Sequence, residues 1–364
     1  MTQQTVLITG AFGQVGEQCT QILLDRGRTV IAVGRSQANT AAERELRAGA
    51  HPGTLIAAYA DLTDAGALRN LVATHRPEAI IHLAAILSPV SYRNPALARR
   101  VNVGGTQNLL EAAAALTRPP FFLMASSAAV YGSRNPYRYP ERITAETQVN
   151  PVDQYGRDKV LAEEAVRASG LPYVLLRLGG IVSPLAQSSI NGDALVLMRS
   201  MPIDNRIHMV DVRDVALAFA NGVDREAAVA GKTLLIAGDD SFARLQCDFQ
   251  DELMTAVGLG ALGPSAGLPG DPDDDRGWSF TGWLDTTEAE DLLDFQRHDW
   301  SQTRAWMSES MGNRRIVFRA VGPILRPILR VALTAQRRIE RRGPYADPWT
   351  LIENKYGAGA LAAP

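Results

Sequence analysis

The strongest constraint on this chain is a junction near its start. An apolar stretch, Thr5 to Thr9, runs directly into Gly10-Ala11-Phe12-Gly13-Gln14-Val15-Gly16, and an amphipathic helical pattern continues from Val15 to Arg26. A strand, three spaced glycines and a helix in immediate succession have few structural solutions. One glycine makes the tight turn, one lets the backbone approach a pyrophosphate, and one permits close packing of helix on strand. The helix N-terminus then presents N–H donors and the positive end of its dipole to phosphate. This context predicts a dinucleotide site whose phosphate-facing residues are Gly10, Phe12, Gly13, Gln14, Val15 and Gly16.

The pattern downstream agrees. Thr29 to Val33, Leu55 to Ala58, Ala79 to Ala84, Pro120 to Ala125 and Tyr173 to Leu178 read as buried strands. Gly66 to Thr74, Pro95 to Ala115 and Val160 to Ala168 read as the intervening helices. Strands alternating with helices call for a parallel sheet covered on both faces. The expected fold is therefore α/β: a Rossmann-type doubly wound parallel sheet with a small C-terminal substrate lobe and an amphipathic helical tail. Residues 1–184 and 207–240 are assigned to the dinucleotide-binding domain, 185–206 and 241–310 to the lobe, and 311–364 to the tail. Residues 207–240 are read as a return to the sheet.

Bulk properties exclude several classes. A net charge of −2 provides no basic footprint, so no nucleic-acid partner is expected. The two cysteines, Cys19 and Cys247, form neither a disulfide framework nor a metal spacing, and the histidines are scattered, so no metal is expected. His82 reads as a core histidine rather than a catalyst. The opening MTQQTVLITG lacks a basic region followed by an apolar core, and no long apolar run occurs. A cytoplasmic protein is expected, with the inner face of a membrane as a second address set by the tail.

Cofactor choice is legible at the end of the second strand. An NAD site often places a carboxylate there for the ribose hydroxyls. This chain has Gly34, followed by Arg35 and Ser36. A guanidinium can hold a 2′-phosphate with two parallel hydrogen bonds, so NADP(H) is the preferred cofactor and NAD(H) the second option. Asp61-Leu62, after the third strand, is placed to bracket the adenine.

Tyr155-Gly156-Arg157-Asp158-Lys159 opens a helix after the fifth strand, and residues at i and i+4 share a face. An ammonium beside a phenol favours the phenolate. With only three lysines among 37 basic residues, a lysine at this spacing stands out. A hydroxyl at the carboxyl end of the fifth strand, Ser126 or Ser127, is available to hold a substrate oxygen.

Taken in order, TGAFGQVG, IIHLAA at 80–85, VNVGGTQNLLEAA at 101–113, SSAAVYG at 126–132, YGRDK and DVRDVA at 211–216 resemble the extended short-chain dehydrogenase/reductase family, the NAD-dependent epimerase/dehydratase group. The resemblance covers roughly residues 5–240. It selects Ser127 over Ser126, places Ala84 and Ala85 in the cofactor site, and puts Asn102 at the nicotinamide side or behind the catalytic lysine. It implies hydride transfer at nicotinamide C4, with Tyr155 exchanging a proton with the substrate oxygen, Ser127 hydrogen-bonding that oxygen, and Lys159 binding the ribose and tuning Tyr155. The departures are informative. Ala128 and Ala129 stand where dehydratases carry an acidic pair. Gly179-Gly180-Ile181 replaces the asparagine segment of sugar-nucleotide enzymes, although Arg206 lies near their phosphate-binding arginine.

The expected activity is an NADP(H)-dependent interconversion of carbonyl and alcohol on a small apolar substrate. An NAD-dependent sugar-nucleotide epimerase, a non-catalytic NADPH-binding regulator and a membrane-recruited binding protein are the rivals. The tail decides the last of these. Residues 314–342 hold nine arginines and one acid, Glu340. On a helical wheel Val317, Val321, Ile324, Leu325, Ile328 and Ala332 oppose Arg315, Arg319, Arg326, Arg330 and Arg337. This segregation suits an anionic membrane surface. The competing reading buries the aliphatic face on the protein itself or in a homodimer, with the arginines solvated. Pro323 and Pro327 argue against one straight helix.

Overall fold

The computed structural model describes residues 4–35, 41–184, 196–197, 199–280 and 282–361. Among the described residues there are ten strands: β1 (Thr5–Thr9), β2 (Thr29–Gly34), β3 (Thr54–Tyr59), β4 (Ala79–His82), β5 (Phe121–Ser127), β6 (Tyr173–Leu178), β7 (Gly180–Val182), β8 (Arg206–Asp211), β9 (Thr233–Ile236) and β10 (Ala243–Leu245). Seven of them form a parallel sheet in the order β3-β2-β1-β4-β5-β6-β9. The principal helices are α1 (Gln14–Asp25), α2 (Ala41–Ala48), α3 (Ala65–His75), α4 (Gly105–Ala114), α5 (Gln154–Ala168), α6 (Val212–Asp224), α7 (Gln246–Ala256), α8 (Thr287–Leu293), α9 (Trp300–Ser310), α10 (Asn313–Ile339) and α11 (Pro348–Tyr356).

The strand alternation distributes the core between two layers. Val6 and Ile8 of β1 face α1 and α6, where Leu23, Val215 and Phe219 close one core. Leu7 faces the other side, against Leu68, Leu109 and Ala162 of α3, α4 and α5. Both faces are covered, which is why β1 reads as continuous aliphatic sequence rather than alternation. Strand order reverses between β1 and β4, so the crevice at their carboxyl ends is the expected binding position of this fold.

Three features depart from the sequence reading. The helix expected from Pro95 to Ala115 is divided into Pro95–Arg99, a π-helical turn at Arg100–Gly104, and α4. Here the Thr106 hydroxyl donates to the Asn102 carbonyl, and the Asn102 side chain is occupied by Ile86. Next, β8 does not return to the main sheet. It lies in a three-stranded sheet, parallel to β7 and antiparallel to β10. Finally, α8 carries Ala289 and Leu293 into the main core, and Phe295 follows them, so this part of the assigned lobe packs under the sheet. Of the excursion at 185–206, residues 185–195 lie outside the described residues.

The tail forms one continuous 27-residue helix, α10, with both prolines inside it. Pro323 and Pro327 lie on its exposed side, where water can satisfy the carbonyls their missing N–H groups leave free. Its arginine face is turned inward. Arg315 Nε donates to Ala256 O at 3.1 Å, Arg330 Nε to Leu262 O at 2.6 Å and Arg337 to Ser265 O at 3.0 Å. Among the described residues no helix is long and apolar enough to cross a membrane.

Candidate functional site

The first crevice lies beyond β1. Gly10 has φ 73°, a left-handed conformation that side-chain-bearing residues rarely adopt, and its N–H bonds Val33 O at 3.1 Å. A Cβ on Gly16 would stand 2.1 Å from Gly10 O, so α1 meets the turn only because that position is glycine. Gly13 caps α1 without any side-chain hydrogen bond, which leaves the first-turn N–H groups of Gln14 and Val15 available to a ligand. A cavity of about 430 Å³ extends from this turn, bounded by Gly10, Arg35, Asp61, Leu62, Ala84 and Ala85. Asp61 is held below the usual carboxylate range by the Thr63 hydroxyl and N–H, with Arg35 adding to the effect. A Cβ at Gly34 would approach the Phe12 ring to 2.9 Å. The ring therefore occupies the space that an acidic side chain at the end of β2 would need. Ser36 lies outside the described residues.

The second crevice lies beyond β5, where alternation sends Ser126 and Ser127 to opposite sides. Ser126 Oγ donates to Glu163 Oε1 at 2.5 Å, within a buried cluster completed by the Arg177–Glu163 pair at 2.7 Å. Ser127 Oγ accepts the Ala129 N–H at 3.1 Å and lines a cavity together with Tyr155. Tyr155 sits in the first turn of α5, whose N-cap Asp153 accepts the Gly156 N–H at 2.8 Å. One turn later Lys159 Nζ donates to Ala125 O at 2.6 Å and stands 5.8 Å from the centre of the Tyr155 ring.

The electrostatics differ from the simple expectation of a lysine-lowered phenol. In the cofactor-free protein, burial pushes the Tyr155 phenol up. The Ser127 hydroxyl beside it works in the opposite direction, and the Asp153 carboxylate raises it further. Burial also pulls Lys159 down to about 8, against the opposing pull of Glu163 and Asp158. Asp153 is itself pushed up to about 6 by burial, although Tyr92 donates its hydroxyl to it at 2.5 Å. Desolvation outweighs the pairing in each case. The sequence reading passed over Asp153 and Tyr92. The available signal was an aspartate immediately before the helix that carries Tyr155.

A pH dependence follows for Lys159. Its folded pKa lies below the ordinary lysine value, so the unfolded chain binds more protons between about pH 8 and pH 10.4. Keeping the ammonium buried costs stability below pH 8, on the order of 3 kcal/mol, and that cost disappears as pH rises through the interval. The melting-temperature difference, Lys159→Met minus parent, is therefore expected to shrink as pH rises from about 7 to about 10. A difference independent of pH would show that Lys159 is not buried as a cation.

The side-chain amide of Asn102 is bonded to the backbone of Ile86. Its Oδ1 accepts the Ile86 N–H at 2.7 Å and its Nδ2 donates to Ile86 O at 3.0 Å, so it pins the segment after β4 that carries Ala84 and Ala85. His82 is buried, with Nδ1 2.7 Å from Thr9 Oγ1 and Nε2 2.9 Å from Thr106 Oγ1. Thr106 already donates to Asn102 O, so it must accept from Nε2–H, and Nδ1 accepts the Thr9 proton. Burial pulls His82 down to about 3, which keeps this ring neutral. Among the described residues no cluster of His, Cys, Asp or Glu could hold a metal.

The cavity over Ser127 and Tyr155 encloses about 490 Å³. Its walls are largely apolar, including Leu178, Leu197, Met201, Met209, Phe249 and Phe280. Among the described residues that line it, none is a lysine, arginine, aspartate or glutamate. His208 reaches it, but Nε2 donates to Gly238 O at 3.1 Å and Nδ1 accepts the Leu284 N–H at 3.0 Å. Arg206 lies away from it, stacked 4.7 Å over Trp283 and donating to Pro140 O at 2.8 Å.

Residues 6–220 match the model of the NAD dependent epimerase/dehydratase family. UDP-glucose 4-epimerase 2 of Oryza sativa subsp. japonica is 35% identical over 168 residues, which is 45% of this chain and 40% of that one; the match thus spans less than half the length of the relative. The crystal structure of UDP-glucose 4-epimerase with UDP-glucose from Thermotoga maritima has a TM-score of 0.64 at 20% identity, covering 85% of this chain and 99% of that one. WbmH of Bordetella bronchiseptica, in complex with NAD+, has a TM-score of 0.63 at 20% identity, covering 88% and 99%. Likeness at these identities speaks to the fold.

Proposed function

Because the chain belongs to the NAD-dependent epimerase/dehydratase family, we propose that it is an NADP(H)-dependent oxidoreductase of the short-chain dehydrogenase/reductase type that interconverts a carbonyl and an alcohol on a small apolar substrate. The observation that carries this reading is that no lysine, arginine, aspartate or glutamate stands among the described residues lining the cavity over Ser127 and Tyr155. A sugar nucleotide would have to place a diphosphate in or beside it, and buried anions require paired cations. Arg206, the sequence candidate for that role, is occupied by Trp283 and Pro140. An epimerase acting on a sugar nucleotide, as the rice and Thermotoga proteins are named, is thereby the second reading.

The residues of the first crevice suit a dinucleotide. Gly10, Gly13 and Gly16 leave room for a pyrophosphate over the N-terminus of α1, with Gln14 and Val15 supplying N–H groups. Arg35 would take a 2′-phosphate beside Gly34, Asp61 and Leu62 would flank the adenine, and Tyr155 and Lys159 would meet the nicotinamide ribose. When bound, the cofactor supplies or accepts a hydride. The chain's own residues handle the proton. Tyr155, kept protonated at neutral pH by burial, donates to the substrate oxygen as a carbonyl is reduced and takes the proton back in the reverse direction. Ser127 holds that oxygen. Lys159 holds its ammonium one turn behind and favours the phenolate that forms. Asn102 acts by holding the strand-end backbone rather than by contact with the reacting atoms.

Purified protein incubated with NADPH and a panel of aliphatic and aromatic ketones and aldehydes is expected to oxidise NADPH, while UDP-glucose gives no epimer. Epimerisation of UDP-glucose without net redox turnover would overturn the assignment. A homodimer and an anionic membrane surface are the proposed macromolecular partners.

A further inference from the structure

The orientation of α10 inverts the usual arrangement of an amphipathic surface helix. Its polar face is docked and its apolar face is not. Arg315, Arg330 and Arg337 bond backbone carbonyls of residues 256–265, and Gly322 sits so close to Leu259 O that a Cβ would be 2.8 Å away. The opposite half of the helix carries Ile316, Val317, Ile324, Ile328, Val331 and Ile339, which are 56–81% exposed. Contiguous exposed aliphatic surface of this kind marks an interaction site.

Charge identifies the partner. Segment 314–342 holds nine arginines and one glutamate, a formal +8 in a chain whose total is −2, so the remainder carries −10. Exposed Arg314 and Arg338 flank the aliphatic face on the helix, and exposed Arg341 follows just beyond its end. Among the described residues the one ion pair of this segment is Arg199–Glu340, at 2.9 Å. A second copy seated on this face by two-fold symmetry would bring two unpaired arginine sets together. A surface that is apolar below and anionic at its edge accepts both features at once. We propose that the outward face of α10 docks the protein on an anionic lipid surface, lying in the interface with its aliphatic residues in the acyl boundary and its rim arginines at the headgroups.

The chain just after α10 bonds to a segment that borders the apolar cavity. Arg342 donates to Arg199 O at 3.0 Å, and Arg199 lies between Leu197 and Met201, both of which line that cavity.

The test uses the full chain and needs no activity measurement, so its outcome is independent of the proposed reaction. The protein is sedimented with vesicles of phosphatidylcholine alone, and of phosphatidylcholine with about 30% phosphatidylserine, at about 0.05 M and about 0.5 M salt. Docking predicts pelleting with the anionic vesicles that falls at high salt. The double substitution Ile324→Asp and Ile328→Asp lies on the exposed face, so the fold should be retained. It is expected to weaken vesicle partitioning at least about tenfold with an unchanged melting temperature. Wild type remaining in the supernatant overturns the proposal. So does a wild-type dimer in light scattering that the double variant converts to monomer without any vesicle binding, because the face would then belong to a second copy.

Discussion

Tyr155→Phe is expected to lower kcat at least ~10²-fold, the scale associated with loss of a positioned acid–base group, while weakening NADPH binding far less. The ring fills the same space at the head of α5, so neither the Asp153 cap nor the apolar cavity is disturbed. Only the hydroxyl is lost, and with it the proton that must reach the substrate oxygen when hydride arrives at carbon. Steady-state kinetics with the best carbonyl substrate, set beside a fluorescence titration of NADPH, separates the two effects. If turnover survives, the catalyst is elsewhere. If binding and turnover fall together, Tyr155 serves the cofactor site rather than the chemistry.

Arg35→Ala should produce the second large effect, a loss of about 10- to 100-fold in kcat/KM with NADPH and little change with NADH, on the scale of hydrogen bonds to a charged group. The expectation rests on two independent features. Arg35 lines the cavity that Asp61 and Leu62 complete. Gly34, packed against the Phe12 ring, stands where the acid that selects against a 2′-phosphate would be. The ratio of kcat/KM for the two cofactors, measured on parent and variant, decides it. A parent that uses NADH better than NADPH would reverse the cofactor assignment whatever the variant does.

The amino-acid sequence by itself determined the sheet and the turn that opens it. β1 and β6 coincide with the stretches read from their aliphatic patterning, because a strand covered on both faces is largely apolar, with the one charge of β6, Arg177, buried against Glu163. Gly10 and Gly16 were legible because the left-handed turn and the close approach of α1 admit no side chain. Tyr155 and Lys159 were legible because helical spacing alone puts them on one face. Ser127 was separable from Ser126 only by resemblance, although strand alternation is what turns one toward Glu163 and the other into the cavity. Tertiary structure decided the rest. The π-turn at Arg100–Gly104 coincides with Asn102 bonding backbone of a different loop, a contact that local sequence does not encode. β8 pairs with β7 and β10 rather than with the main sheet, a choice between partners that no local pattern encodes. The orientation of Tyr155's phenol equilibrium, upward rather than downward, depends on how deeply neighbouring elements bury it. The wheel of α10 showed two opposed faces, but not which would be docked. That depended on the free carbonyls after α7, which accept guanidinium donors and so draw the arginines inward, leaving the isoleucines outside.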